Sequence, residues 1–161
     1  MPNEGVDWEV QRDAALSFAI EMHGKQKDKI GQPYVFHLVR VASQFEDPKL
    51  QAIALLHDII EDTLVTDGWL RDMGIADEIV DVVNTLTKNP KEIYRDYILR
   101  LRKNDSARRV KIADINDNAD AHRLHQVSLR VNQETADRLL NKYANALWYL
   151  RSPGEPDIDT E

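Results

Sequence analysis

The chain has no cysteine. That excludes a disulfide framework, thiolate zinc sites and a cysteine nucleophile. No apolar run approaches the ~18 residues needed to span a membrane. The N-terminus, "MPNEGVDWEV", has neither a basic segment nor an apolar core of the kind an export signal needs, so a cytoplasmic protein with no membrane partner is expected. An excess of positive charge is also missing. The net charge is −7, which argues against generic nucleic-acid binding. There is no repeat, no GxGxxG, no P-loop and no strand-like alternation.

What remains is an ordinary globular composition, 42% apolar and 30% charged over 161 residues, which suits one domain with a full core. The charge is uneven. Between Lys88 and Lys111 nine cations face three acids, a local +6 that leaves −13 for the rest. Such a zone suits a small polyanion such as a nucleotide, or else a solvated helix face with paired charges.

Helical spacing runs almost throughout, and the expected fold class is all-α, a single helical bundle over residues 1–150. Ala14, Ala15, Phe18, Ala19 and Met22 mark a helix over 7–23. A lysine-rich loop follows, "GKQKDKIGQP", broken by Gly24, Gly31 and Pro33. "YVFHLVRVASQF" restarts a helix after Pro33. "DPKLQAIALLHDIIEDT" is read as the next, with Asp47 as N-cap and Pro48 at the first helical position. Further helices are expected over 76–87, 91–103, 105–118 and from about Gln133 to Leu150. The tail 151–161 is acidic and proline-rich, and is expected to be disordered. Trp8, Trp69 and Trp148 suit core and interface alike.

The informative stretch is "LLHDIIEDT", residues 55–63. A strongly apolar run delivers His57 and Asp58 side by side, then Glu61 and Asp62. A helix advances about 100° per residue, so His57/Glu61 and Asp58/Asp62 fall within one broad stripe. A lone histidine there would read as a satisfied core residue. Three carboxylates on one face repel each other unless a cation sits among them. His37, on the preceding helix, and Asp114, in "VKIADINDN", are further candidate ligands, though Asp114 also reads as an N-cap or salt-bridge partner. Two histidines and two aspartates suit an open octahedral site for Mn²⁺ or Fe²⁺ better than a closed zinc site. Such a site can make a nucleophilic hydroxide near neutral pH.

A first histidine, then His57-Asp58, then a distant Asp114 resembles the H…HD…D pattern of HD-domain metal phosphohydrolases. "HGKQKDKIGQPYVFHLVRVA", "ALLHDIIEDT", "LTKNPKEIYRDYILRL" and "ARRVKIADINDNAD" occur in that order. Over roughly residues 10–150 they resemble the hydrolase domain of Rel/SpoT-type enzymes and the stand-alone small alarmone hydrolases. The resemblance implies a cytoplasmic, all-helical, Mn²⁺-dependent enzyme of the stringent response that removes the 3′-pyrophosphate of (p)ppGpp. It implies Mn²⁺ on His37, His57, Asp58 and Asp114, and a water positioned or deprotonated by Glu61 and Asp62. It implies substrate contacts from Lys29, Thr87, Lys88, Lys111, Asn118 and Tyr143. Lys111 reads equally as a salt-bridge partner, and Tyr143 as core.

Two departures stand out. Asp28 occupies the place of an arginine in the family's H-x-G-Q-x-R-K, and Leu38 replaces the proline that usually follows the first metal histidine. Neither a synthetase domain nor a regulatory domain fits in the remaining residues, so degradation of alarmone rather than its synthesis is expected. Asp28 keeps one rival in view, a phosphohydrolase acting on a nucleoside monophosphate, a different 3′-phosphorylated nucleotide or the 2′-phosphate of NADPH; a rival of another class is a non-catalytic nucleotide-binding module, against which the intact metal set and Glu61/Asp62 argue.

Overall fold

A computed structural model describes residues 5–152. Within them the chain forms ten helices and no strand, apart from one isolated bridge pair, Lys27 and Pro33. The all-α expectation holds.

Polar caps set most of the helix starts. Asp7 accepts the amides of Glu9 and Val10 to open α1 (Trp8–His23), which stops at Gly24, φ +50°. Asp47 caps α3 (Pro48–Leu56), with Pro48 in its first turn. Asn104 caps α8 (Asp105–Asn118) and Asn132 caps α10 (Gln133–Arg151). α2 (Tyr34–Ala42) follows Pro33, and α6 (Asp77–Leu86) and α7 (Tyr94–Leu101) complete the main bundle.

α3 is the axis. Leu50 and every residue from Ala52 to Leu56 is buried. A helix apolar on all sides must be wrapped on all sides, and α1, α2, α6 and α8 do so. Leu38, Ile53, Leu56, Ile79, Ile98, Leu101 and Ile115 are among the fully buried side chains. Each contributes about 1.5–3 kcal/mol by leaving water. Trp8 and Trp69 are half-buried against this core, whereas Trp148 is 61% exposed.

Several expectations are corrected. The helix read over 47–63 is two, α3 and α4 (Ile59–Asp62). At the join the Ala54 carbonyl accepts both the amide and the ring Nδ1–H of His57, a tightened turn. The apolar pattern runs through the join, because Ile59 and Ile60 follow the histidine, so periodicity does not mark it. α2 ends at Ala42, and its last carbonyls bond three residues on, to Gln44 and Phe45. Two helices carry too few apolar residues to announce themselves: α5 (Asp67–Asp72), capped by Thr66, and α9 (Ala121–Arg130), capped by Asp120. The proline-rich part of the tail lies outside the described residues.

The loop between α1 and α2 is built around Asp28. Its Oδ1 accepts the amides of Ile30 and Gln32, and its Oδ2 accepts the Arg123 guanidinium of α9. The turn needs Gly31 at φ +78°, where a Cβ would also crowd Arg130. A second, small apolar cluster of Val127, Ala136 and Leu139, with Ile30, Leu124 and Tyr143, seats this loop on α9 and α10.

Candidate metal centre and adjoining cleft

His37 comes from α2, His57 from the end of α3, Asp58 from the α3–α4 turn and Asp114 from the middle of α8. One donor atom from each lies within 4.8 Å of all the others. Asp114 is the hub. Its Oδ1 meets His37 Nε2 at 2.8 Å and His57 Nε2 at 3.2 Å, and its Oδ2 accepts Lys111 Nζ at 2.9 Å. His57 Nε2 is also 3.0 Å from Asp58 Oδ2. Two imidazole nitrogens converging on one carboxylate oxygen is what a shared cation position looks like from its ligands. The donor set fits an oxygen- and nitrogen-preferring divalent metal.

The electrostatics are those of a tightly paired cluster. Burial alone would lower the His57 pKa, but the Asp58 and Asp114 charges hold it well above its ordinary value. Burial would raise Asp58, yet His57 keeps it at about 2. Asp114 is held far below the carboxylate range against its own burial, chiefly by Lys111 and His57. A metal would displace the Nε2 protons, so its binding releases protons.

Glu61 and Asp62 lie on α4, on the exposed rim of the site. Glu61 accepts the backbone amide of Lys88, and burial of part of its carboxyl raises its pKa. Asp62 is pushed up to about 6, first by burial and then by the Asp58 and Glu61 charges. The single uninterrupted stripe expected for His57, Asp58, Glu61 and Asp62 is therefore corrected: the break at 57–58 turns the first two inward and leaves the last two at the rim.

The remaining sequence candidates fall into two groups. Lys29, Asn118 and Tyr143 line a cleft of about 300 Å³ together with Tyr34, Arg123, Leu124, Val127 and Leu139. Asn118 joins cleft to cluster, because its Nδ2 donates to Asp114 Oδ1 at 3.3 Å. Thr87 and Lys88 are not in that lining and sit beside Glu61. The Thr87 hydroxyl donates to the Val83 carbonyl, and Lys88 Nζ donates to Asn89 O. Lys111 is a salt-bridge partner of Asp114, pinned also over the Tyr97 ring.

The basic zone resolves largely into local partners. Arg100 pairs with Glu92, Arg108 with Asp105, Arg95 with Asp96, and Arg109 lies over Phe45. The paired-face reading wins for these residues. Asp28, too, is occupied by the loop it organises and by Arg123.

Sequence reasoning missed four contributors. The Tyr34 hydroxyl donates to Asp58 Oδ2. Asp117 accepts His37 Nδ1–H at 2.6 Å and the Arg40 guanidinium at 2.8 and 3.1 Å, with Arg123 Nε 3.8 Å away. The available signal was spacing: Asp117 is three residues after Asp114, and Arg40 three after His37.

No family model matches the chain. It is 34% identical over 122 residues to a guanosine-3′,5′-bis(diphosphate) 3′-pyrophosphohydrolase of Aquifex aeolicus, covering 68% of this chain and 17% of that protein. It is 33% identical over 148 residues to the Brucella ovis GTP pyrophosphokinase rsh, covering 76% of this chain and 18% of that one. The resemblance to Rel/SpoT-type proteins is borne out. The chain spans about a sixth of the length of these relatives. Its fold is that of a solved metazoan orthologue of SpoT, described as hydrolysing ppGpp and acting in starvation responses. The TM-score is 0.71 at 21% identity, over 88% of this chain and 86% of the other.

Proposed function

We propose that residues 1–150 form a cytoplasmic, Mn²⁺-dependent 3′-pyrophosphohydrolase that converts (p)ppGpp to GDP or GTP and pyrophosphate. The observation that carries this reading is the convergence of His37, His57, Asp58 and Asp114 within 4.8 Å, with Glu61 and Asp62 at the rim. Relatives named for this hydrolysis support the substrate assignment.

A divalent metal on those four residues supplies Lewis acidity toward the 3′-phosphoryl group and lowers the pKa of water. The chain's own residues do the rest. Asp62, with a pKa near 6, accepts the proton of the attacking water, with Glu61 beside it holding the water's orientation. The 3′-oxygen–phosphorus bond breaks, the water oxygen goes to pyrophosphate, the leaving 3′-oxygen becomes a hydroxyl by taking a proton from solvent, and Asp62 returns its proton to solvent. Lys29 and Asn118 hold the ribose and phosphate from the cleft, and Lys88, with Thr87 before it, meets the polyphosphate from the Glu61 side. Lys111 keeps Asp114 ionised. Tyr143 and the apolar wall of Leu124, Val127 and Leu139 receive the base. The acidic surface leaves a small nucleotide, not nucleic acid, as partner.

The test is incubation of the purified chain with ppGpp and Mn²⁺, with EDTA as control. Metal-dependent pyrophosphate is expected, and His57→Ala should reduce it at least 10³-fold while helical circular dichroism is retained. Orthophosphate released instead from nucleoside monophosphates or NADPH would transfer the site to a different phosphate ester. Tight ppGpp binding with no product would make the chain a binding module.

A further inference from the structure

Asp117 has no role in the chemistry above, yet it is one of the most heavily engaged side chains in the molecule. Its carboxylate is 9% exposed. It accepts His37 Nδ1–H at 2.6 Å on one oxygen, and both oxygens accept Arg40. The His37 ring is therefore held between two carboxylates of the same helix, Asp117 at Nδ1 and Asp114 at Nε2.

The arrangement follows from two short spacings. On α8, Asp114 and Asp117 are three residues apart and lie on neighbouring turns of one face. On α2, His37 and Arg40 are likewise three apart. Docking the two helices places His37 against both aspartates and Arg40 against the second. His57 obtains the same Nδ1 partner more simply, from the Ala54 carbonyl at 2.5 Å. Both imidazoles thus have an oxygen at Nδ1 and an Nε2 aimed at the common point.

We propose that Asp117 is a positioning residue for the divalent metal. It fixes the ring orientation of His37, keeps the proton on Nδ1 and leaves the Nε2 lone pair for the ion, with Arg40 fastening the carboxylate. A carboxylate behind a ligating imidazole also makes it a more basic ligand. The inference rests on His37 being a metal ligand, and goes beyond that reading by assigning the group that makes it one.

The test is Mn²⁺ binding by titration calorimetry on the full, metal-stripped chain, read without substrate. Asp117→Ala should weaken affinity by about 10–100-fold, the usual range for such partners. Asp117→Asn, which keeps an oxygen for Nδ1–H, should recover part of that loss. Arg40→Ala should show a smaller loss than Asp117→Ala. A purely structural Asp117 would lower the melting temperature and leave Mn²⁺ affinity within twofold, and that result overturns the proposal. If Asp117→Ala does not fold, the ring itself decides. In the Zn²⁺-loaded wild-type chain, ¹⁵N-detected imidazole spectra should show His37 protonated at Nδ1, and protonation at Nε2 overturns the proposal. A wild-type chain that binds no Mn²⁺ at all overturns the ligand assignment and this inference with it, whereas intact wild-type binding with an unaffected Asp117→Ala defeats this inference alone.

Discussion

In the proposed mechanism Asp62 trades stability for chemistry. Its carboxyl is raised to about 6 by burial and by the Asp58 and Glu61 charges. As a proton acceptor it works only when ionised. The logarithm of kcat/KM should therefore climb with unit slope at acid pH and level off above the Asp62 pKa, which a divalent cation on neighbouring Asp58 draws below its metal-free position near 6. Asp62→Asn should lower the plateau by about 10²-fold, the lower end of what a positioned base contributes, and remove the inflection. An inflection that persists in this variant assigns the proton to another group. The stability consequence has the opposite sign. A carboxyl whose folded pKa exceeds its unfolded value of about 3.9 favours the fold while protonated, and that contribution disappears between about pH 4 and pH 6. Asp62→Asn should accordingly melt higher than wild type at pH 8 and show no gain at pH 3.

At the same scale, legibility depends on where a residue's partners lie. Asp58 and Glu61 were visible because an acid after an apolar run violates the cost of burying charge. Lys111 was ambiguous because Asp114, three residues on, is both a helical neighbour and a member of the cluster. Asp117 was invisible as a contributor, since its main partners, His37 and Arg40, are 80 and 77 residues away in sequence.

Between elements, Arg100 holds the segment after α6. Arg100 of α7 donates to the carbonyls of Thr85 and Thr87 at 2.9 and 3.1 Å and to both oxygens of Glu92 at 2.9 and 3.0 Å. It fastens the end of α6 and the following turn to α7. That turn presents the Lys88 amide to Glu61. Arg100→Ala should cost about 1–3 kcal/mol in urea unfolding, the range for hydrogen bonds to a charged group. It should also lower kcat, because Glu61 loses its fixed donor, while Mn²⁺ affinity stays unchanged. A variant that loses stability but keeps kcat would show that the turn is scaffold only. The elements that sequence reading found were those with caps or long apolar stripes, such as α8 between Asn104 and Asn118. α9 was missed because its inward face holds little beyond Leu124 and Val127. Yet it supplies Arg123, whose guanidinium donates to Asp28 and ties the α1–α2 loop to α9.

At the scale of the whole molecule, the central α3 and the four-residue cluster are one construction. Among the described residues α3 is the most completely buried helix, and His57 caps its C-terminal end, so the site adjoins the centre of the core. The all-α class was legible because periodicity near 3.6 runs along the chain. The coming together of α2, α3 and α8 was suggested only by residue chemistry, because nothing in a periodicity states which helices touch. The construction has a thermodynamic consequence. A metal that binds the folded chain through four residues spread over 77 positions has no comparable site in the unfolded chain. At a Mn²⁺ concentration 100 times its Kd the fold should gain about 2.7 kcal/mol. For a chain of this length that corresponds to a rise of about 5–10 °C in Tm. EDTA should reverse the rise, and His57→Ala should abolish it while still unfolding cooperatively. Scanning calorimetry across a Mn²⁺ series measures all three. A Tm that ignores Mn²⁺ in the wild type would mean that the four side chains hold one another through protons and ion pairs alone, and that the cluster is a buried polar network rather than a metal centre.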